Sequence, residues 1–215
     1  MKIGVFDSGV GGLSVANAIE KAFPEHKVIF KNDAEHMPYA VRSPEEILPL
    51  VTPVMQSLVD EGCQVIVVAC NTVSTTLIEP LREQFDVPLI SVEPLMKLAS
   101  EMTKTDVIAV CATPTTLASA HYAMLKETYT SQCTVIEPDC SNWSLLIEHH
   151  DIEEQHIADC IKPALDAGAD VIVLGCTHYH WIEEEIAALA SDAVAIIQPE
   201  AFIIEELTQV LEQLQ

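Results

Sequence analysis

Two stretches of the chain repeat one pattern of apolar and polar positions. Gly62-Cys-Gln-Val-Ile-Val-Val-Ala-Cys-Asn-Thr72 and Gly168-Ala-Asp-Val-Ile-Val-Leu-Gly-Cys-Thr-His-Tyr179 both lead from a glycine through two residues into an unbroken apolar run. A small residue, a cysteine and polar groups follow in each. Runs of this length, rich in β-branched residues, predict strands covered on both faces, as parallel strands of α/β proteins are. Cys70 and Cys176 then stand at the carboxyl ends of their strands, the edge at which open parallel sheets bind ligands.

The repeat extends further. Ile3-Gly-Val-Phe-Asp-Ser8 and Ile108-Ala-Val-Cys-Ala-Thr113 are each a short strand ending in a hydroxyl residue before a helical stretch. Ile108 lies 105 positions after Ile3, and Cys176 lies 106 after Cys70. Two similar α/β halves, each offering one thiol to a shared cleft, follow from the offset.

Within the first half, Asp7-Ser-Gly-Val-Gly-Gly12 predicts a turn opening a helix over Leu13 to Phe23, with Val15, Ala16, Ile19, Ala22 and Phe23 at helical spacing. The turn and the helix amino terminus would direct amide donors at a carboxylate or phosphate. Lys27 to Phe30 predicts a strand, and 32–42 an irregular segment containing Pro38-Tyr39-Ala40. Ser43-Pro44-Glu45-Glu46 predicts a capping box, with Ile47, Val51, Val54, Met55 and Leu58 turned inward and Pro49 and Pro53 bending the helix.

Val87 to Ser91 is a further strand, and the chain crosses to the second half near Pro94. There the predicted elements are strands over Val107 to Cys111 and Cys133 to Ile136, and a helix start at Thr113-Pro-Thr-Thr116. Further helices are predicted over Trp143 to Glu148, from an Asp151 cap to Asp166, and over Trp181 to Leu189. A strand over Val194 to Ile197 and a terminal helix from Glu200 complete the pattern.

Composition narrows the function. With 215 residues, 49% of them hydrophobic, the chain suits one large domain or two of about 100 residues. No apolar run approaches the roughly 20 residues of a membrane helix. Met1-Lys2-Ile3 leads straight into a strand without a signal-peptide pattern, which predicts a cytoplasmic protein. Ten basic residues against 33 acidic ones argue against nucleic acid and anionic membrane surfaces as partners, since both are bound through Lys and Arg. Any anionic small-molecule substrate must be held by backbone amides, hydroxyls and helix termini. The seven cysteines contain no Cys-x-x-Cys pair, which fits reduced thiols, with Cys63, Cys111 and Cys160 as apolar fillers.

Two thiols facing one cleft can form a disulfide, bind a soft metal, or act as acid and base on opposite faces of a carbon. The cytoplasm disfavours the first. For the second, His178 and His180 near Cys176 and the pair His149 and His150 show no recognised ligand spacing. The third explains one thiol per half, and is the geometry a racemase needs. Each thiol then requires help to ionise, from Asp7 beside Cys70 and from His178 beside Cys176.

Asp7-Ser-Gly-Val-Gly-Gly-Leu13, Pro38-Tyr39, Ala69-Cys-Asn-Thr72, Thr113-x-x-Thr116 and Gly175-Cys-Thr-His-Tyr179, in this order, resemble the cofactor-independent aspartate/glutamate racemase family, and glutamate racemases within it. The resemblance implies two similar parallel-sheet α/β domains related by a pseudo-twofold axis, with the active site between them. Residues 1–96 with 198–215 would form the first and 97–197 the second. It implies no cofactor and no metal, Cys70 acting on D-glutamate and Cys176 on L-glutamate, with Asp7, His178 and Glu148 assisting. Ser8, Pro38, Tyr39, Ala40, Asn71, Thr72, Thr113, Thr116 and Thr177 would contact substrate. A role in supplying D-glutamate for peptidoglycan and a homodimer follow from the resemblance too.

The chain departs from the family pattern at Ala40, where glycine is usual, and at Asn32-Asp-Ala-Glu-His36, which lacks the usual Gly-Asp and Arg. It departs again at Gln198-Pro199-Glu200, and in being short. A racemase of another acidic amino acid such as aspartate, or a non-catalytic binding protein on the same fold, are the alternatives.

Overall fold

In the computed structural model, which describes residues 1–214, the apolar runs form two four-stranded sheets, parallel throughout. The first half contains β1 (Lys2–Asp7), α1 (Leu13–Ala22), β2 (Lys27–Asn32), α2 (Pro44–Asp60), β3 (Val65–Val68), α3 (Asn71–Gln84) and β4 (Leu89–Ser91). The chain then continues through α4 (Met96–Met102), β5 (Val107–Ala112), α5 (Pro114–Leu117), α6 (Ala120–Tyr129), β6 (Thr134–Ile136), α7 (Trp143–Glu148) and α8 (Glu154–Asp166). It ends with β7 (Val171–Gly175), α9 (Glu183–Leu189), β8 (Ala195–Ile197) and α10 (Glu200–Gln213). The strand orders β2-β1-β3-β4 and β6-β5-β7-β8 are equivalent, so Cys70 and Cys176 end corresponding strands.

The continuous apolar runs are explained by burial on both faces of each sheet. In β3, Ile66 and Val68 pack with Ile47, Met55, Leu58 and Leu77 of α2 and α3, while Val65 and Val67 pack with Val15 and Ile19 of α1 and Leu207 of α10. In β7, Ile172 and Leu174 meet Ile157, Ile161 and Ile186, and Val171 and Val173 meet Met96, Tyr122 and Leu125. Each such fully buried aliphatic side chain contributes about 1.5–3 kcal/mol. Helix α10 returns to the first sheet, against α1 and β4. Gln215, the last residue of the range 198–215, lies outside the described residues.

The capping box forms: Ser43 Oγ accepts from the Glu46 amide at 3.4 Å, and Glu46 Oε2 accepts from the Ser43 amide at 2.9 Å. Helix α2 runs on through Pro49 and Pro53.

Two expectations are corrected. Asp151 does not cap α8, whose first helical residue is Glu154. Instead the Asp151 amide donates to Leu146 O and the His150 amide to Ile147 O, while His150 takes φ +57. This is a Schellman closure of α7, in which a left-handed residue satisfies the last carbonyls of a helix. The helix expected from Trp181 begins only at Glu183, because Thr177–Ile182 winds as a 3-10 turn.

Candidate active site

Between the carboxyl ends of the two sheets lies a narrow cavity of about 10 Å³, room for one water. The first half walls it with Ser8, Met37, Tyr39, Ala40, Cys70, Asn71 and Thr72, the second with Thr113, Ser144, Cys176, Thr177 and His178. No Lys or Arg lies among these walls. The donors are hydroxyls, a carboxamide, an imidazole and backbone.

On the first side, β3 delivers Cys70 to the position preceding α3, where its Sγ donates to Ser8 Oγ at 3.5 Å. Burial, then the charge of Asp7, pushes the Cys70 thiol up to about 12; the bond to Ser8 and the Val73 amide oppose this. Asn71 opens α3 with both Nδ2 and Oδ1 buried and unpartnered. A buried carboxamide in that condition carries a desolvation cost of about 1–3 kcal/mol per group, which a ligand in the cavity would relieve. Thr72 Oγ1 meets Thr113 Oγ1 at 2.9 Å, and Thr113 Oγ1 donates to Thr116 Oγ1 at 3.0 Å. This hydroxyl chain joins the halves, with Thr116 behind the cavity wall.

On the second side, His178 Nδ1 lies 3.9 Å from Cys176 Sγ and its Nε2 lies 2.7 Å from Glu148 Oε2. Glu148 Oε2 also accepts from the Val10 amide at 3.1 Å. Burial works against a charged ring, yet the bonds to Cys176 and Glu148 outweigh it and raise His178 to about 10. Burial likewise opposes the Glu148 carboxylate, but the His178 bond and the Val10 amide hold it below the usual range. The pair is therefore an imidazolium and a carboxylate at neutral pH.

The glycine-rich turn does seat carboxylates, but they are the protein's own. Asp7 Oδ2 accepts from the Gly9 and Gly12 amides, both at 3.1 Å, and Asp7 Oδ1 accepts from Thr177 Oγ1 at 3.1 Å. Asp7 is fully buried and hydrogen-bonds neither thiol. Burial raises its pKa against the charge of His178 and the two amides, and it acts on Cys70 through charge.

Gly11 passes so close beneath the second half that a Cβ there would stand 2.7 Å from the His178 backbone N, with His178 Nδ1 and Thr177 Oγ1 equally near. Backbone cannot yield as a flexible side chain does. Gly11→Ala is expected to destabilise the protein by about 1–3 kcal/mol, measured by denaturant unfolding, with a drop in midpoint at unchanged slope.

Pro38 lies beside the cavity wall in the Met37-to-Ala40 segment rather than among the walls named above. Three residues were not foreseen. Ser144 lines the cavity one helical turn before Glu148 on α7, and that i, i+4 spacing was the available signal. Met37 precedes the Pro38-Tyr39 pair. Asp33, in the segment set apart as a departure, accepts from the Tyr39 hydroxyl at 2.5 Å and pairs with His36 Nδ1 at 2.7 Å. Burial and this carboxylate raise the Tyr39 phenol, fixing it as a neutral donor.

Among the described residues, no three His, Cys, Asp or Glu side chains are grouped to hold a metal, and no helix is long and apolar enough to cross a membrane.

The family description Asp/Glu/hydantoin racemase fits residues 4–207. A glutamate racemase of Ralstonia pickettii is 39% identical over 199 residues, spanning 91% of this chain and 71% of its own. One of Herpetosiphon aurantiacus is 36% identical over 213 residues, spanning 97% and 84%. Among solved structures, Escherichia coli glutamate racemase in complex with L-glutamate and the activator UDP-MurNAc-ala superposes with a TM-score of 0.91. It is 28% identical, over 98% of this chain and 82% of that one.

Proposed function

The chain belongs to the Asp/Glu/hydantoin racemase family, and from that premise we propose that it interconverts L- and D-glutamate with two cysteine bases. The observation that carries the reading is the pair of thiols, Cys70 and Cys176, supplied by equivalent strands of opposite halves to one buried cavity.

In the resting state Cys70 is a thiol, and the His178 ring stands beside the Cys176 sulfur. With L-glutamate bound, the Cys176 thiolate takes the α-proton, and the Cys70 thiol delivers its own proton to the opposite face, giving D-glutamate. Cys70 is left as thiolate and Cys176 as thiol, the arrangement that runs the reverse reaction. A carbon acid gives up its proton reluctantly, and a thiolate of high basicity narrows the mismatch. The burial that raises Cys70 therefore serves the chemistry as well as the packing. Asn71, Thr72, Thr113 and Thr177 supply the donors for the substrate carboxylates, and closure excludes water from the intermediate.

Both thiols must stay reduced, which suits a cytoplasm, and the role that accords with the family is supply of D-glutamate for peptidoglycan. The test is proton NMR of L- and D-glutamate, separately, in D2O, with optical rotation followed alongside. Exchange of both α-protons with rotation decaying to zero supports the reading. Exchange of aspartate alone would move the substrate, and silence with every acidic amino acid would sink the enzyme.

The pH profile follows from His178. Its pKa is raised, so its stabilising charge is fully present below the unfolded value of about 6.5 and is lost as pH rises through about 10. The kcat/KM is expected to hold from neutral pH to about 9 and to fall above that, before Cys70 titrates. Glu148→Gln removes one of the interactions raising His178, so the alkaline limb should move to lower pH. An unmoved limb would assign it to another group.

A further inference from the structure

A cavity with room for one water cannot admit an amino acid without opening, and the two flanks of the cleft differ in what opening would cost. On the Asp7 flank the halves are joined by Thr177 to Asp7, Val10 to Glu148, Ser14 to His180 at 3.1 Å, and Trp181 Nε1 to Gly11 O at 3.3 Å. Parting them would dismantle the groups set around Cys176. On the other flank, residues 37–43 form an irregular segment carrying Met37, Tyr39 and Ala40 of the cavity wall. Among the described residues, every hydrogen bond from this segment to the second half goes to Thr115 on α5. The Thr115 amide donates to Ala40 O at 3.1 Å, and Thr115 Oγ1 reaches Ala40 O at 2.8 Å and Arg42 O at 3.2 Å. Thr115 fell on one of the unassigned positions of Thr113-x-x-Thr116, and the racemase reading leaves it without a role.

We propose that Thr115 is the latch of the substrate gate. It is a positioning residue that holds segment 37–43 shut over Cys70 and Cys176, and the site opens by releasing that segment while the Asp7 flank stays joined. Substrate binding as glutamate rests on the racemase reading; the latch itself does not. Release would bare Tyr39 and Ala40 and uncover Cys70 without disturbing His178 or Glu148. Asn71, left unpartnered in the narrow cavity, stands on the uncovered side.

The test is Thr115→Val, which keeps the shape and the amide bond and removes the hydroxyl, with Thr115→Ser as the conservative variant. Alkylation of each cysteine by iodoacetamide is followed by mass spectrometry without substrate. Cys70 and Cys176 are expected to react about two- to tenfold faster in Thr115→Val, the factor one neutral hydrogen bond is worth. Cys63 and Cys111, buried in the two cores, should remain as protected as before. Closed free enzyme and closed complex lose the same hydrogen bond, so KM for glutamate should stay within about twofold with kcat unchanged or higher, and Thr115→Ser should restore the slow alkylation. Unchanged alkylation of Cys70 and Cys176, or an equal rise at Cys63 and Cys111, overturns the latch. Faster alkylation of the site thiols alone, in a protein inert toward glutamate, upholds the latch and removes the substrate assignment instead.

Discussion

Racemisation is expected to fall by about 10²–10⁴-fold when either Cys70 or Cys176 is replaced by serine, the range that a positioned acid or base supplies. Serine fits the space, and its hydroxyl does not ionise where the thiol does, so the loss measures proton transfer more than packing. The two substitutions together should cost little more than one, because each alone already breaks the relay. Enantiomers have equal free energy, so the equilibrium constant is one and kcat/KM must be the same in both directions for every variant. Cys70→Ser therefore cannot slow one direction alone. What it can do is separate exchange from inversion: Cys176 still removes the α-proton of L-glutamate and returns a deuteron to the same face. In D2O, Cys70→Ser should exchange L-glutamate faster than it racemises it, and Cys176→Ser should do the same with D-glutamate. Variants retaining a tenth or more of wild-type racemisation would overturn the two-base mechanism.

The thiols and their strands were legible in the sequence because the information is local. An apolar run of β-branched residues buried on both faces, ending in a small residue and a cysteine, specifies strand, edge and thiol together, and its repetition 106 positions later specifies the symmetry. The capping box at Ser43 was legible for the same reason: its two bonds close within four residues.

What the glycine turn does was not legible. A turn of Gly-x-Gly-Gly promises amide donors, but whether a ligand or a side chain takes them depends on the rotamer of Asp7 and on Glu148, 138 positions from Val10. The tight approach at Gly11 likewise depends on Thr177 and His178, which lie far along the chain. Asp33 shows another limit. It stands six residues before Tyr39, and only the irregular course of the chain folds it back under the phenol. Local pattern thus placed the two thiols, while the groups that set their electrostatics came from contacts between distant parts of the chain.

That division bears on His178, which the sequence offered as a helper of Cys176 and the structure sets in a chain from Cys176 through the imidazole to Glu148 and the Val10 amide. His178→Asn is expected to lower kcat/KM by about 10²-fold or more, equally for the two enantiomers, although the side chain faces only one thiol. The ring is buried, so losing it also leaves the Glu148 carboxylate without its cation. Glu148 should then lose the main interaction holding its pKa down and bind a proton more readily. The substitution should distinguish a group that serves one base from one that merely packs. Cys70 still removes the α-proton of D-glutamate and returns a deuteron, so in D2O that enantiomer should exchange faster than it inverts, while L-glutamate loses exchange and inversion together. If exchange and inversion of D-glutamate instead fall in step, His178 acts on the whole site, through closure or substrate binding. The proton path would then have to be assigned without it.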